Sequence, residues 1–120
     1  MRAPFLMAAL AAMCILAGCA SAPVPTADAE LGTITDASLG MPAPGTHAVT
    51  VKRDAGFGAS ACASTVFVNG REAGEVRAGQ KVIFYLPAGE HMLGARANGI
   101  CIGGLVEMRL AVVPGRPALA

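Results

Sequence analysis

From Gly45 onward, apolar and other residues alternate with a period of two, and this pattern constrains the fold more than any other feature of the sequence. Because successive side chains of a β-strand point to opposite faces of a sheet, the alternation predicts half-buried strands. We therefore expect an all-β domain in which no helix is longer than a turn. The positions that carry the pattern are Val49, Val51, Val66, Val68, Val82, Phe84, Leu86, Val106, Met108, Leu110 and Val112.

Turn residues divide this region into about six short strands. Asn69-Gly70 predicts a tight hairpin, since both residues tolerate positive φ. Gly79 and Pro87-Ala88-Gly89 bound strands that we expect over residues 81–86 and 90–97, and a last strand follows over residues 105–113. We expect each connection to be short and to join antiparallel neighbours, which favours an antiparallel sandwich or a small open barrel.

The amino terminus has the organisation of a bacterial export signal. Arg2 precedes an uninterrupted apolar run over residues 5–16, which is too short for a comfortable permanent membrane span. The last residue of the run, Leu16, is followed by Ala17, Gly18 and Cys19, and these four residues match the lipobox of bacterial lipoproteins. Small residues suit the groove of a signal peptidase, and only a thiol can form the diacylglyceryl thioether. We therefore predict cleavage before Cys19 and lipidation of its sulfur.

Lipidation of Cys19 would place the protein in the cell envelope. By resemblance to bacterial lipoproteins, Cys19 would carry three acyl chains, and even two chains anchor stably at about 0.8 kcal/mol per buried methylene. Ala20, where an Asp would retain a lipoprotein in the inner membrane, implies an outer-membrane location with the domain facing the periplasm. The alternative is an ordinary secretory signal cleaved at Ala20-Ser21-Ala22.

The chain accordingly divides into three parts. Residues 1–18 are the cleaved signal, residues 19–46 comprise the lipidated cysteine and a flexible tether, and residues 47–120 form the β-domain. The tether is assigned because this stretch is rich in Ala, Pro, Gly, Ser and Thr and lacks apolar periodicity. A tether of this length would let the domain stand off the bilayer. The apolar residues in it that could dock on the domain are Leu31, Ile34 and Leu39.

Two cysteines remain for the mature domain, because Cys14 leaves with the signal and Cys19 is acylated. In an oxidising periplasm we expect these two, Cys62 and Cys101, to form a disulfide. A domain of about 75 residues buries too little surface to be very stable, and the bridge would constrain its unfolded chain. The alternative is a redox pair, but the C-x-x-C spacing and a flanking helix to lower a thiol pKa are lacking.

Composition and polar residues do not point to catalysis. Nine Lys and Arg face eight Asp and Glu, and removal of Arg2 leaves eight against eight, which offers no basis for nucleic-acid binding. His47 and His91 are the only histidines, too few for a zinc site without scattered carboxylates. We expect no enzymatic activity, metal or cofactor. Patterns considered and set aside are a dinucleotide loop at Gly56-Phe57-Gly58-Ala59-Ser60-Ala61, nucleophiles at Ser60 and Ser64, and carboxylate pairs among Glu72, Glu75, Glu90 and Glu107.

The stretch from Cys62 to Ala97 has a strand, the Asn69-Gly70 turn, a short strand, and a Gly-led strand that ends in Pro87-Ala88-Gly89. It resembles Gram-negative outer-membrane lipoproteins with a PEGA-like or Ig-like β-sandwich domain. The resemblance implies an Ig-like sandwich with an envelope interaction or scaffolding role, and it brings no catalytic residues. Such domains usually have a further strand after the turn that corresponds to Pro114-Gly115. Only residues 116–120 follow that turn in this sequence, so we expect an uncovered sheet edge.

These features together predict a membrane-anchored periplasmic lipoprotein that acts as a non-enzymatic interaction or scaffolding module, with an envelope protein as its partner. An unpaired sheet edge would suit binding by β-augmentation. The alternative function is small-ligand or glycan binding through the Gly-rich loops around Gly56 and residues 99–104. Four Phe, one Tyr and no Trp provide few stacking surfaces for such ligands.

Overall fold

The computed structural model describes residues 23–55, 61–101 and 103–120, and its regular structure is almost entirely β. The helices in this part of the chain are two three-residue 3₁₀ turns. The expected all-β class is therefore confirmed. The strands are β1 (Glu30–Leu31), β2 (Thr33–Ile34), β3 (Thr46–Lys52), β4 (Ser64–Val68), β5 (Arg71–Val76), β6 (Gln80–Pro87), β7 (Gly89–Ala97), β8 (Val106–Val112) and β9 (Ala118–Leu119), and the 3₁₀ turns are Thr26–Asp28 and Ala37–Leu39.

The strands form two sheets whose inner faces share one core. One sheet has the strand order β1-β6-β3-β9 and the other β2-β5-β4-β7-β8. Most neighbours are antiparallel, whereas β1 is parallel to β6 and β9 is parallel to β3. No described strand belongs to both sheets, which favours the sandwich over the barrel. The buried core residues are Val49, Val66, Val68, Ala73, Val76, Val82, Phe84, Leu86, Leu93 and Val112.

The predicted turns occur, but two of them connect different strands from those expected. Asn69 (φ 50°) and Gly70 (φ 80°) join β4 to β5 as a hairpin, as predicted. By contrast, β6 lies in the sheet opposite β5 and β7, so the turns before and after it carry the chain between sheets. The expectation of antiparallel neighbours there is wrong. The crossing lets the apolar face of β6 pack against the apolar faces of β5 and β7 instead of continuing beside them.

The amino-terminal boundary of the domain also differs from the prediction. β1 and β2 lie within the predicted tether, yet β1 pairs with β6 and β2 with β5. Ile34 and Leu39 pack against the core, whereas Leu31 is 69% exposed. The folded domain therefore begins before the predicted boundary at residue 47. The sequence did not reveal this, because two-residue strands are too short to show periodicity. Packed structure begins near Val24, and the predicted tether is shortened accordingly.

Polar contacts hold the strap, which we define as residues 24–34, against the first sheet. The Lys52 ammonium donates to the carbonyl oxygen of Val24, and the Lys81 ammonium donates to that of Thr26 at 2.7 Å. The Val24 N–H donates to Asp54 Oδ1 at 3.1 Å. This hydrogen bond from Val24 lowers the pKa of the Asp54 carboxyl, and a hydrogen bond from the Lys52 ammonium lowers it further. The contact is therefore present at neutral pH and is lost as the pH falls through that lowered pKa.

Gly32 provides a test of strap docking, because a Cβ at this position would lie 2.5 Å from the carbonyl oxygen of Glu75. Gly32→Ala should push the strap off the sheet and lower the free energy of unfolding by about 1–3 kcal/mol, as overpacking commonly does. Urea denaturation measures the change. Gly104→Ala is the matched control, since a Cβ there has no neighbour within 4 Å among the described residues. Equal stability of the two variants would show that the strap is not docked.

Candidate functional site

The disulfide is present where the sequence predicted it. Cys62 precedes β4 and Cys101 follows β7, and the structure joins them with a Cα–Cα separation of 6.2 Å. The Arg53 guanidinium donates to the Cys62 carbonyl oxygen at 2.6 Å, which ties the bridge to the end of β3. The lipobox residues Leu16, Ala17, Gly18 and Cys19 lie outside the described residues, so lipidation stays a prediction.

The two histidines have structural surroundings. His91 accepts from the Asn69 amide at Nδ1 (2.9 Å), so its Nε2 carries the proton and donates to the Pro87 carbonyl oxygen at 2.8 Å. The ring thus connects the hairpin turn to the turn between the sheets. His47 lies half-buried on β3. In residues 23–55, 61–101 and 103–120, no three His, Cys, Asp or Glu side chains come together as a metal site would require.

The remaining polar candidates are dispersed. Ser64 Oγ accepts from Arg53 at 3.2 Å, and residues 56–60, which include Ser60 and most of the glycine-rich stretch, lie outside the described residues. The four glutamates that were considered lie on three different strands: Glu72 and Glu75 on β5, Glu90 on β7 and Glu107 on β8.

None of the helices within the described ranges has the length and apolar character needed to cross a membrane.

An open hollow of about 330 Å³ lies beside the disulfide, where the Gly99 loop suggested a ligand site. Of the polar side chains at its wall, those of Asn98 and Glu75 have protein partners, and Arg77 lies beside them. Thr65 Oγ1 donates to Asn98 Oδ1 at 2.8 Å, and the Asn98 amide donates to Glu75 Oε2 at 3.5 Å. Because Asn98 and Glu75 already have protein partners, few polar groups of this open hollow are left to orient a small ligand.

The edge strand β8 is the most unusual surface of the described chain. Four strands lie at sheet edges, and three of them, β1, β2 and β9, are only two residues long. Short edge strands limit unwanted pairing, whereas β8 spans seven residues. On its inner side it pairs with β7 along its whole length, and no strand in the described ranges pairs with its outer side. An uncovered edge is therefore found at β8, but the reason expected for it is wrong, because a strand, β9, does follow Pro114-Gly115 and pairs with β3 in the other sheet.

The backbone of β8 has hydrogen-bonding groups that point outward. On the neighbouring strand, the N–H and C=O of Met92 both bond Asn69, on the side away from β8. Residues of β7 that point towards β8 must therefore be the neighbours of Met92, which pair with Leu110 and Met108. Alternation then directs the N–H and C=O of Glu107, Arg109 and Ala111 away from the sheet and into solvent.

The inner face of β8 is only partly covered. Val112 is buried and Leu110 packs against the core, but Val106 is 73% and Met108 is 47% exposed. Of the four apolar residues that the sequence places on this face, two are therefore covered by the core and two are exposed. The facing sheet ends in β9, which pairs with only two residues of β3, Val49 and Thr50. An apolar groove of about 210 Å³ results, lined in part by Val51, Val66, Leu93, Val106, Met108 and Ala120.

The outer face of β8 has one acidic and one basic residue that are not paired with each other or with other described residues. Glu107 lies opposite Gly94 and Arg109 opposite Met92, so neither has a charged residue directly opposite it on β7. Leu105, just before the strand, covers Gly94 closely enough that a Cβ there would lie 3.1 Å from its Cδ1. Edge, groove and charges together form a surface suited to an added strand.

The sequence indicated β8 as a strand but not as the exposed edge. Its alternation is the same as that of buried strands, and its edge position follows from the strand order of its own sheet, which no sequence periodicity reveals. A search of protein-family models, of curated proteins and of solved structures found no match to the chain.

Proposed function

We propose that the protein is a lipid-anchored, non-enzymatic module of the bacterial envelope that binds another protein chain by adding a strand to β8. The observation that carries the proposal is the seven-residue edge strand, whose outward backbone groups and apolar Val106 and Met108 are exposed. The lipobox ending at Cys19 supports an envelope location. An outer-membrane site with the domain in the periplasm follows from Ala20.

Strand addition explains why both the backbone and the side chains of β8 are open. The outward N–H and C=O groups of Glu107, Arg109 and Ala111 bond water in the free protein and would bond an incoming strand in the complex. Alternate side chains of that strand would lie over the groove beside Met108 and remove apolar surface from water, which supplies affinity. Backbone bonding gives the binding mode, and the groove and charges give selectivity.

The docked strap determines how far the proposed partner surface lies from the membrane. If Cys19 bears the lipid, only residues 20–23 separate it from Val24, where packing begins. A fully extended segment of this length spans at most about 18 Å. The domain would therefore lie close to the bilayer and not stand off it on a long tether. Asp54 and Lys52, which hold Val24, mark the end of the domain nearest the membrane.

Site-specific photo-crosslinking in intact cells tests the binding edge. A photoreactive residue at Ala111, which is exposed on β8, in a chain with native Cys19, should link to protein and give a discrete product of higher mass. The same residue at Glu72, which is exposed on β5, should give little product, because β5 already has a strand on both sides. Equal yields from the two positions, or none above background, would contradict the proposal.

A further inference from the structure

We propose that the chain bound at β8 is a second copy of this protein, paired antiparallel through its own β8 with the two-fold axis at Met108. This inference rests on the proposed function of the β8 edge and adds the identity of the partner. Two identical edges can close on each other only if the strand is compatible with its own reverse. Backbone direction limits the pairing registers, charge selects one of those that remain, and the apolar pattern agrees with it.

The backbone restricts the registers first. In an antiparallel pair, two directly opposed residues either both point their N–H and C=O at each other or both point them away. Because Glu107, Arg109 and Ala111 have the outward groups, they must face outward residues of the second copy. Symmetric pairings centred on Glu107, Met108 or Arg109 meet this condition, whereas any shift by a single residue breaks it.

Charge then distinguishes these three registers. Centring on Arg109 places that residue opposite itself, and centring on Glu107 places two carboxylates together. Centring on Met108 places Glu107 opposite Arg109 of the second copy, and the symmetry repeats the pair. Opposite charges directly across a pair of strands are stabilising and like charges are destabilising. Only the Met108 register is self-complementary, and it places an opposite charge directly across from each residue, where β7 has Gly94 and Met92.

The apolar face agrees with the same register. Met108 would lie opposite Met108 of the second copy, and Val106 opposite Leu110. These pairs are of the non-hydrogen-bonded type, in which side chains come closest. Val106 and Met108 are the exposed residues at the mouth of the groove. The second copy would therefore cover the apolar surface that the short β9 leaves open, and two five-stranded sheets would become one continuous sheet.

Cysteine substitution tests the register in the full-length lipidated chain purified in detergent. At the two-fold axis, opposed Cα atoms lie about 4.5 Å apart, which is within the range for a disulfide. Met108→Cys should thus give a reducible dimer as the main species on a non-reducing gel. Ala111→Cys on the same strand should stay monomeric, since its two copies would be about 20 Å apart. No more dimer from Met108→Cys than from Ala111→Cys would overturn the proposal.

Charge reversal is an independent test that adds no cysteine. Glu107→Arg and Arg109→Glu should each raise the dimer Kd roughly tenfold or more, because each places like charges opposite one another. An equimolar mixture of the two variants should dimerise again, and so should the double variant that exchanges the charges. Mass by light scattering in detergent measures this. Unchanged dimers in both single variants would overturn the self-pairing.

The photo-crosslink at Ala111 separates failure of this inference from failure of the proposed function. A product that contains two copies of the chain supports both. A product that contains a different protein and no second copy keeps the function of the β8 edge and overturns self-pairing. The absence of any product overturns both.

Discussion

Replacing Cys19 with serine is expected to abolish the acylated mature form entirely. A serine hydroxyl cannot form the thioether, so the chain should accumulate as full-length precursor or be released without lipid. At about 0.8 kcal/mol per buried methylene, loss of two or more acyl chains removes far more membrane affinity than any contact of the folded domain could replace. Cell fractionation followed by intact mass measurement distinguishes the products.

Cys14→Ser is the matched control for this prediction. Cys14 lies within the apolar run and lacks the small residues that precede Cys19. Its replacement should leave processing and acylation unchanged, and the mature mass should be identical to that of the native protein. An acylated product from Cys19→Ser, or loss of acylation in Cys14→Ser, would show that the modified cysteine has been misassigned.

Removing the disulfide should cause the largest loss of stability from a change in the folded domain. Cys62 and Cys101 are 39 residues apart in the sequence, and closing such a loop stabilises a fold by about 3 to 4 kcal/mol through the unfolded chain. A domain of this size has a total of about 5–15 kcal/mol at most. The Cys62→Ala/Cys101→Ala double variant should therefore unfold at a much lower urea concentration.

Chemical reduction of the native protein gives an internal control for that variant. Reductant should shift the urea midpoint of the native chain to that of the double variant, and it should leave the variant unchanged. Thiol titration of the denatured, unreduced mature protein should find no free thiol, because Cys19 is acylated and the other two cysteines are bonded. A midpoint insensitive to reductant, or two titratable thiols, would exclude a stabilising bridge.

The sequence predicted the long strands well, because the physical signals for them are local. Alternation marks the buried faces of Val82, Phe84 and Leu86 in β6, and positive φ at Asn69 and Gly70 is a requirement of the tight hairpin that joins β4 to β5. The disulfide was accessible by elimination among four cysteines. Each of these inferences needed only residue type and spacing.

Features that depend on distant contacts could not be predicted in this way. β1, β2 and β9 are two residues long and exist because they pair with β6, β5 and β3. The extra residue Ala73 interrupts the β4–β5 register, and its carbonyl oxygen accepts the N–H groups of Thr35 and Asp36. That contact holds the residues just after the strap against β5. The sequence does not predict it, because the residues involved form a run of polar and small side chains.

The candidate site illustrates the same limit. The uncovered edge was anticipated in general terms, but its location on β8 follows from the order of five strands in one sheet. The opposed charges of Glu107 and Arg109 are ordinary on a solvated strand face. Their role in pairing can be inferred only once the positions opposite them on β7 are known to be Gly94 and Met92.

The intact mass of the chain extracted from membranes tests most directly the claim on which the functional proposals depend, that a processed and lipidated β-domain is held at the membrane. The expected mass is that of residues 19–120 plus a diacylglyceryl group and an amide-linked acyl chain, less two hydrogens for the Cys62–Cys101 bridge. An unmodified mass, or one that begins after Ala22, would contradict it.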